Sequence, residues 1–150
     1  RLKAVEGLLV DITARISALE KSTPIAASSS KATTYIPLGS NGGPWVNSDW
    51  ISLGEYQVSL DPANLPGYSS MVLELTSRMI ESGAVGYIRL YNSSNSSATS
   101  SEVKTTTTSF GLYTSSTFTL PAGAKNYVLQ VKSPDGQNLL LQTARIRVNF

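Results

Sequence analysis

The sequence predicts a mainly β fold, an antiparallel jelly roll or β-sandwich, preceded by a short N-terminal α-helix that forms a parallel trimeric coiled coil. Two observations lead to this prediction. From Tyr35 onward, short runs of alternating apolar and polar residues are separated by Gly, Pro, Asn and Asp, with no helical periodicity between them. Residues 1–20 instead carry Leu, Ile and Val at helical spacing. We therefore divide the chain into a coiled coil at 1–21, a linker at 22–34 and a β domain at 35–150.

The helical segment has the apolar spacing of a coiled coil. The intervals between its apolar residues are 3, 4, 3, 4 and 3, which is a strict heptad seam and not the wider stripe of a surface helix. Leu at an a position followed by Ile at the next d position favours three or more helices. The predicted seam consists of Leu2, Val5, Leu9, Ile12, Ile16 and Leu19.

Charged residues beside this seam favour parallel helices in register. Arg1 can reach Glu6, and Arg15 can reach Glu20, across neighbouring chains, because in parallel helices a g residue meets the e residue five positions on. The stretches RLKAVE and RISALE both resemble the signature of short trimeric coiled coils. Three heptads span only about 30 Å, and a helix this short is marginal alone. We therefore expect the segment to be the end of a longer shaft.

The linker at 22–34 breaks the helical pattern, because Pro24 cannot continue a helix. Small polar residues follow the proline and can run extended. Two interpretations stay open: a flexible linker, or a tight crossover from three helices into three β domains.

The β domain contains runs that are typical of strands at 55–60, 70–80, 84–92, 101–108, 112–120, 126–133 and 137–150. Side chains alternate between the two faces of a strand, so every second residue of a run should point into the core. The predicted inward residues are Met71, Leu73, Leu75, Ile88, Leu90, Phe118, Leu120, Leu129, Val131, Ile146, Val148 and Phe150. Because this pattern reaches the last residue, we expect removal of Phe150 to lower stability.

The same alternation predicts an outward face that is rich in aromatic residues and arginine. This composition is shared by protein interfaces and by sugar-binding sites. One interpretation is a subunit interface or a solvated face; the other is a ligand face or an inter-subunit crevice, in which the arginines hold a small anionic ligand such as an acidic sugar. The predicted face consists of Tyr87, Arg89, Tyr91, Gln130, Lys132, Arg145 and Arg147.

Two loops offer further candidate residues. SNGGPWVNSDW, residues 40–50, carries Trp45 and Trp50, which either stack on a sugar or plug the end of the sandwich. NSSNSSATSS, residues 92–101, is a polar loop at a strand end, which is either a variable binding surface or a solvated flexible loop. It contains N-x-S sequons at Asn92 and Asn95, which matter only in a glycosylating host.

Composition argues against most chemistry. The net charge of +2, with 15% charged residues, gives no reason to expect nucleic-acid binding. The absence of His and Cys removes the commonest general base, the thiolate nucleophile and the commonest metal ligands. Serines are abundant but have no accompanying base, and no pattern places two carboxylates together. We therefore expect no enzyme activity, no cofactor and no metal.

The order of coiled coil, short joint and Ser/Thr/Tyr-rich β domain resembles the distal end of a bacteriophage tail needle or tail fibre. LYNSSNSSATSSEVKT and STFTLPAGAKNYVLQV carry the compositional likeness. The resemblance implies a homotrimeric knob, similar to the tumour necrosis factor jelly roll, which is assembled in the bacterial cytoplasm and sits at the virion tail tip.

The expected role is non-enzymatic. The knob would contact the host cell surface during envelope penetration and genome delivery, and would join other tail proteins through the upstream shaft. The alternatives are a fibre head that binds a receptor or a carbohydrate such as lipopolysaccharide, and a secreted trimeric adhesin.

Overall fold

A computed structural model describes residues 32–150, of which Thr33–Phe150 form one compact unit. The predicted coiled coil, and nearly all of the predicted linker, lie outside the described residues and stay predictions. The described part contains a short 3-10 turn (Pro62–Asn64) and the strands β1 (Thr34–Trp45), β2 (Ile51–Leu60), β3 (Ser70–Met79), β4 (Gly86–Asn92), β5 (Ser97–Ala98), β6 (Val103–Thr105), β7 (Gly111–Thr114), β8 (Lys125–Lys132) and β9 (Leu139–Asn149). No helix in residues 32–150 has the length and hydropathy needed to cross a membrane.

The strands form two antiparallel sheets. Sheet A has the order β1-β9-β3-β7, and sheet B has the order β2-β8-β4-β5, with β6 also paired to β4. Strands from the two ends of the domain are therefore neighbours, since β1 pairs with β9 and β2 with β8. The predicted mainly β, antiparallel sandwich is confirmed.

The core fills the space between the two sheets. The predicted inward residues of β3, β4 and β8 are buried, as are Ile146 and Val148 of β9. Burial of each such aliphatic side chain stabilises the fold by about 1.5–3 kcal/mol. Phe150 is an exception, with 36% of its surface exposed, because β9 ends one residue earlier at Asn149. The prediction that Phe150 points into the core is therefore wrong.

The glycine-rich stretch after Tyr35 is mostly strand, where the sequence suggested a loop. β1 runs to Trp45, and its pairing with β9 is interrupted twice by irregular register. Its glycines let the backbone lie directly against the Tyr56 ring, since a Cβ atom on Gly39 would come within 2.5 Å of that ring. Close packing, as well as turn formation, explains the glycines.

Two predicted strands are shorter than their sequence patterns indicate. Strand pairing in 101–108 is limited to β6, and in 112–120 it is limited to β7 and one isolated bridge between Phe118 and Met71. Between β7 and that bridge, the Ser115 hydroxyl accepts a hydrogen bond from the backbone N–H of Leu73 at 2.9 Å. A side-chain hydroxyl thus replaces one backbone acceptor beside β3.

Candidate ligand-binding face

Outward side chains of β4 and β8, together with the residue before β2, form one surface on sheet B. Inward burial of Ile88 and Leu90 turns the alternate residues of β4 outward. The strand register sets Tyr87 opposite Lys132 and Arg89 opposite Gln130. β4 and β8 both have neighbours on each side, so hydrogen bonds hold the surface in place. We call this surface the sheet B face and define it as Trp50, Tyr87, Arg89, Tyr91, Gln130 and Lys132.

Arg89 is held in one position on the sheet B face. Its Nε donates a hydrogen bond to Oε1 of Gln130 at 2.9 Å, and Nε2 of Gln130 donates to the hydroxyl of Ser52 at 3.1 Å. The guanidinium carbon lies 4.0 Å from the centre of the Trp50 ring and 5.6 Å from that of Tyr91. Gln130 itself is only 8% exposed. A buried amide and two rings therefore fix the guanidinium.

Lys132 brings a second cation to the same indole. Its Nζ lies 5.0 Å from the centre of the Trp50 ring and 5.3 Å from that of Tyr87. Lys104, on β6, is exposed and stands opposite Tyr87 in the strand register. The ion pairs among residues 32–150 both involve Glu74 of sheet A. Within these residues, the cations of the sheet B face therefore have no carboxylate partner.

The predicted outward set is divided between the two sheets. Arg145 and Arg147 lie on β9, on the outer face of sheet A, and both bind the carboxylate of Glu74. Nη2 of Arg145 is 2.9 Å from Oε2, and Nη1 of Arg147 is 2.6 Å from Oε1. The guanidinium of Arg145 also lies 4.0 Å from the centre of the Tyr35 ring. Glu74 therefore already binds both arginines, and the expectation that they hold an external anion stays a prediction.

The two tryptophans have different surroundings. Trp45 packs against the core, with its ring edge-on to Tyr56 at a centroid distance of 6.1 Å and an interplanar angle of 76°. Trp50 lies on the sheet B face beneath the two cations. Trp45 thus fits the alternative of a plug at the end of the sandwich, while stacking on a sugar stays a prediction for Trp50.

The polar loop after β4 is anchored at its first residue. Asn92 is 2% exposed; its Oδ1 accepts a hydrogen bond from the Asn95 backbone N–H at 3.0 Å, and its Nδ2 donates to the Tyr127 hydroxyl at 3.5 Å. Asn95 is exposed. The end of the loop borders an open cleft of about 510 Å³ that sequence reasoning missed. Most of the residues that line it are serines and threonines: Ser69, Ser70, Ser97, Thr99, Ser100, Thr117 and Thr119.

Shifted pKa values occur away from the sheet B face. Burial raises the pKa of the Tyr56 and Tyr127 phenols. Burial of Tyr113 opposes the hydrogen bonds from Thr107 and Thr106, and the hydrogen bonds prevail, so its pKa is lowered. The side-chain hydrogen bond from Asn138 lowers the pKa of Glu81.

Among residues 32–150, no group of three acidic side chains is placed to hold a metal ion. The sheet B face itself offers positive charge, aromatic surface and hydrogen-bond donors.

Comparison with known proteins shows similarity in fold alone. No protein-family model matches the chain, and no curated protein matches it in sequence. The CBM36-1 domain of a multidomain xylanase, from the hindgut metagenome of Trinervitermes trinervoides, shares 11% identity with a TM-score of 0.52. The match covers 79% of this chain and 98% of that domain. Both are thus jelly-roll β-sandwiches.

A second solved structure is the carbohydrate-binding module CBM6cm-2 of Cellvibrio mixtus lichenase 5A, in complex with cellotriose. It shares 16% identity with a TM-score of 0.47, and the match covers 79% of this chain and 88% of that one. Neither structure is a phage tail protein, so the resemblance to a tail needle or fibre stays an interpretation of the sequence.

Proposed function

We propose that the β domain is a non-enzymatic carbohydrate-binding head and that the sheet B face is its binding surface. The observation that carries the proposal is the placement of three half-buried rings, Trp50, Tyr87 and Tyr91, beside Arg89 and Lys132 on one sheet face. Aromatic rings offer apolar surface to the C–H groups of a sugar ring, and the cationic side chains donate hydrogen bonds to its oxygens. This combination is typical of a recognition surface.

The opposite face of the sandwich offers less for a ligand. On sheet A, Arg145 and Arg147 are both paired with Glu74, whose side chain is 5% exposed. Tyr35 already stacks on Arg145. A sugar at this face would have to displace internal contacts, whereas the sheet B face has unused donors. The carbohydrate-binding role of a module with the same fold adds general support for a non-catalytic binding domain.

We further propose that three copies of this head stand at the distal end of a phage tail fibre or needle, in the virion, where they contact the host cell surface. Support comes from the sequence: the heptads of residues 1–20, which precede the linker and the β domain, favour a parallel trimer. Lipopolysaccharide then becomes the natural source of the carbohydrate. In this setting the head takes part in host contact before envelope penetration and genome delivery.

The binding proposal is tested with the full 150-residue chain on an array of bacterial surface glycans. For the glycans that bind, the dissociation constant is then measured for Trp50→Ala. We expect a loss of at least about tenfold, as for a central aromatic of an interface. Tyr35→Ala is the matched control, an exposed aromatic stacked on an arginine of the other sheet, and should change affinity less than twofold. A folded Trp50→Ala variant with unchanged affinity would overturn the assignment of the face.

The trimer proposal is tested separately by native mass spectrometry of the same chain. A monomer would overturn the trimer and would leave the glycan site standing.

A further inference from the structure

We infer that the ligand of the sheet B face is an acidic glycan, whose carboxylate or phosphate binds between Arg89 and Lys132. The inference rests on the proposed carbohydrate-binding function of the same face and adds the chemical class of the sugar. Three features carry it: the fixed position of Arg89, the crowding of two cations on one indole, and the contrast with the arginines of sheet A.

Arg89 is positioned before any ligand arrives. Gln130 occupies its Nε, while within residues 32–150 its two terminal nitrogens make no hydrogen bond or ion pair. Those two nitrogens form the planar fork that matches a carboxylate or phosphate with two parallel hydrogen bonds. Because Gln130 and Trp50 already restrict the side chain, binding an anion costs less conformational entropy than at a mobile surface arginine.

Two cations share the Trp50 ring without a counter-ion. Arg89 and Lys132 both lie against this indole, and like charges held close together repel. Asp49 and Asp135, the acidic residues nearest to the face along the chain, form no ion pair with either cation. An anionic group placed between the two cations would relieve the repulsion and gain two charge-assisted hydrogen-bond partners. A neutral sugar would leave the repulsion in place.

Sheet A contains a pair of cationic side chains that has an internal counter-ion, and it can be compared with the pair on sheet B. There, Arg145 and Arg147 have an internal carboxylate, the buried Glu74, between them. On sheet B, Arg89 and Lys132 have similar aromatic contacts, but the side-chain partner of Arg89 is the neutral amide of Gln130. The missing negative charge is what an acidic sugar supplies.

Lys104 extends the positive charge along the face. It stands opposite Tyr87, whose ring also contacts Lys132, and it is exposed. A chain of acidic sugars has charges at regular intervals, so a second unit can reach Lys104 while the first occupies Arg89. Substitution of Lys104 should then weaken binding of oligosaccharides more than binding of single sugars.

The experiment uses charged and uncharged versions of the same sugars. Oligogalacturonate and oligomannuronate are compared with their methyl esters, and phosphorylated oligosaccharides with the dephosphorylated forms, all against the 150-residue chain. We expect the charged member of each pair to bind at least tenfold more tightly. This preference should fall as NaCl is raised from 20 to 500 mM, because added salt screens exposed charges: the Debye length falls from about 30 Å at 0.01 M to about 10 Å at 0.1 M. The carboxylate and phosphate arms identify which anion is used.

Two substitutions then locate the charge recognition. Arg89→Gln and Lys132→Gln should each reduce the preference for the charged member of a pair to about threefold or less, because each removes one of the two positive charges. Lys125→Gln is the matched control, because Lys125 lies on the same strand β8 but outside the sheet B face. A thermal melt of each variant verifies that it is folded, and the salt dependence of the unmodified chain gives a result even where a variant does not fold.

The possible outcomes distinguish the acidic-sugar inference from the carbohydrate-binding function on which it rests. Equal binding of charged and neutral members, or a preference that salt does not change, overturns the acidic-sugar inference and leaves the carbohydrate-binding function in place. Failure of the unmodified chain to bind any member of either kind overturns both.

Discussion

Nη1 of Arg147 lies 2.6 Å from Oε1 of Glu74, and the glutamate side chain is only 5% exposed. This ion pair joins the adjacent strands β3 and β9 at the outer face of sheet A. Arg145 binds the other carboxylate oxygen, so a single buried negative charge serves two positive ones. The two arginines compensate the cost of burying the Glu74 carboxylate, and loss of the carboxylate would leave both positive charges without a partner.

Glu74→Gln should therefore lower the free energy of unfolding by about 2–3 kcal/mol, because two guanidiniums would face a neutral amide. The loss should stay below that of a fully buried pair, since the side chains of Arg145 and Arg147 are 48% and 34% exposed. Urea denaturation measures it. Glu102→Gln, at an exposed position, is the control and should change the value by less than about 0.5 kcal/mol. A loss as small as the control's would contradict a stabilising role of the pair.

Gln130→Ala should weaken binding of acidic glycans through Arg89. The substitution removes the acceptor that fixes Nε of Arg89, so the arginine regains rotamer freedom. We expect a three- to tenfold loss of affinity, measured by titration calorimetry, and a much smaller loss when Arg89→Gln is already present. Ser52→Ala removes only the outer hydrogen bond to Gln130 and should have the weaker effect of the two. Equal losses in both backgrounds would show that Gln130 acts independently of Arg89.

Trp45→Ala should lower stability, in contrast to Trp50→Ala. Trp45 packs edge-on against Tyr56 and against the core, so its removal leaves a cavity at that end of the sandwich. We expect a loss of about 2–4 kcal/mol in urea denaturation for Trp45→Ala, and less than about 1 kcal/mol for the surface substitution. If Trp50→Ala proved the more destabilising, Trp50 would have to be treated as a core residue.

Glu81→Gln should change how stability depends on pH. The hydrogen bond from the Asn138 side chain lowers the pKa of Glu81, and partial burial opposes that lowering. The backbone N–H of Asn138, which donates to Oε2 of Glu81 at 2.9 Å, lowers the pKa further. A carboxyl whose pKa is lower in the folded state than in the unfolded state stabilises the fold at pH values above its ordinary pKa of 4.5. This stabilisation is lost as the pH falls through the folded-state pKa.

The melting temperature should therefore fall more steeply below pH 4.5 for the unmodified chain than for Glu81→Gln, so that the two curves converge in acid. Asn138→Ala should flatten the curve in the same direction, since it removes the largest cause of the shift. Parallel curves for the unmodified chain and Glu81→Gln would contradict the assignment.

Alternation along the strands was sufficient to predict which residues point inward. The period of two is a local property, so Ile88 and Leu90 could be separated from Tyr87, Arg89 and Tyr91 without knowledge of the fold. The same rule failed at Phe150, because it gives no information about where a strand ends.

The assignment of outward residues to a sheet could not be predicted in this way. Alternation placed Arg145 and Arg89 in one group, yet β9 pairs with β3 while β8 pairs with β4. These pairings join residues far apart in sequence, and local patterns do not encode them. One signal was present: Glu74 interrupts an otherwise apolar run, and a carboxylate at such a position requires a cationic partner. The positions of the two tryptophans could not be predicted from alternation either. Trp45 ends β1, Trp50 lies just before β2, and the segment between them is not a strand, so the period of two does not relate one residue to the other.

The outer faces of the two sheets point away from each other across the sandwich, so a contact made through sheet A leaves the sheet B face open. Copies held together on that side, or by a shaft upstream, would present several identical faces at once. Binding several sites on one surface raises the overall strength by about 10²–10⁴ without any new contact. If the sheet B face binds carbohydrate as proposed, a single face could bind weakly and exchange rapidly, while an assembly of several copies would stay attached to a densely glycosylated surface.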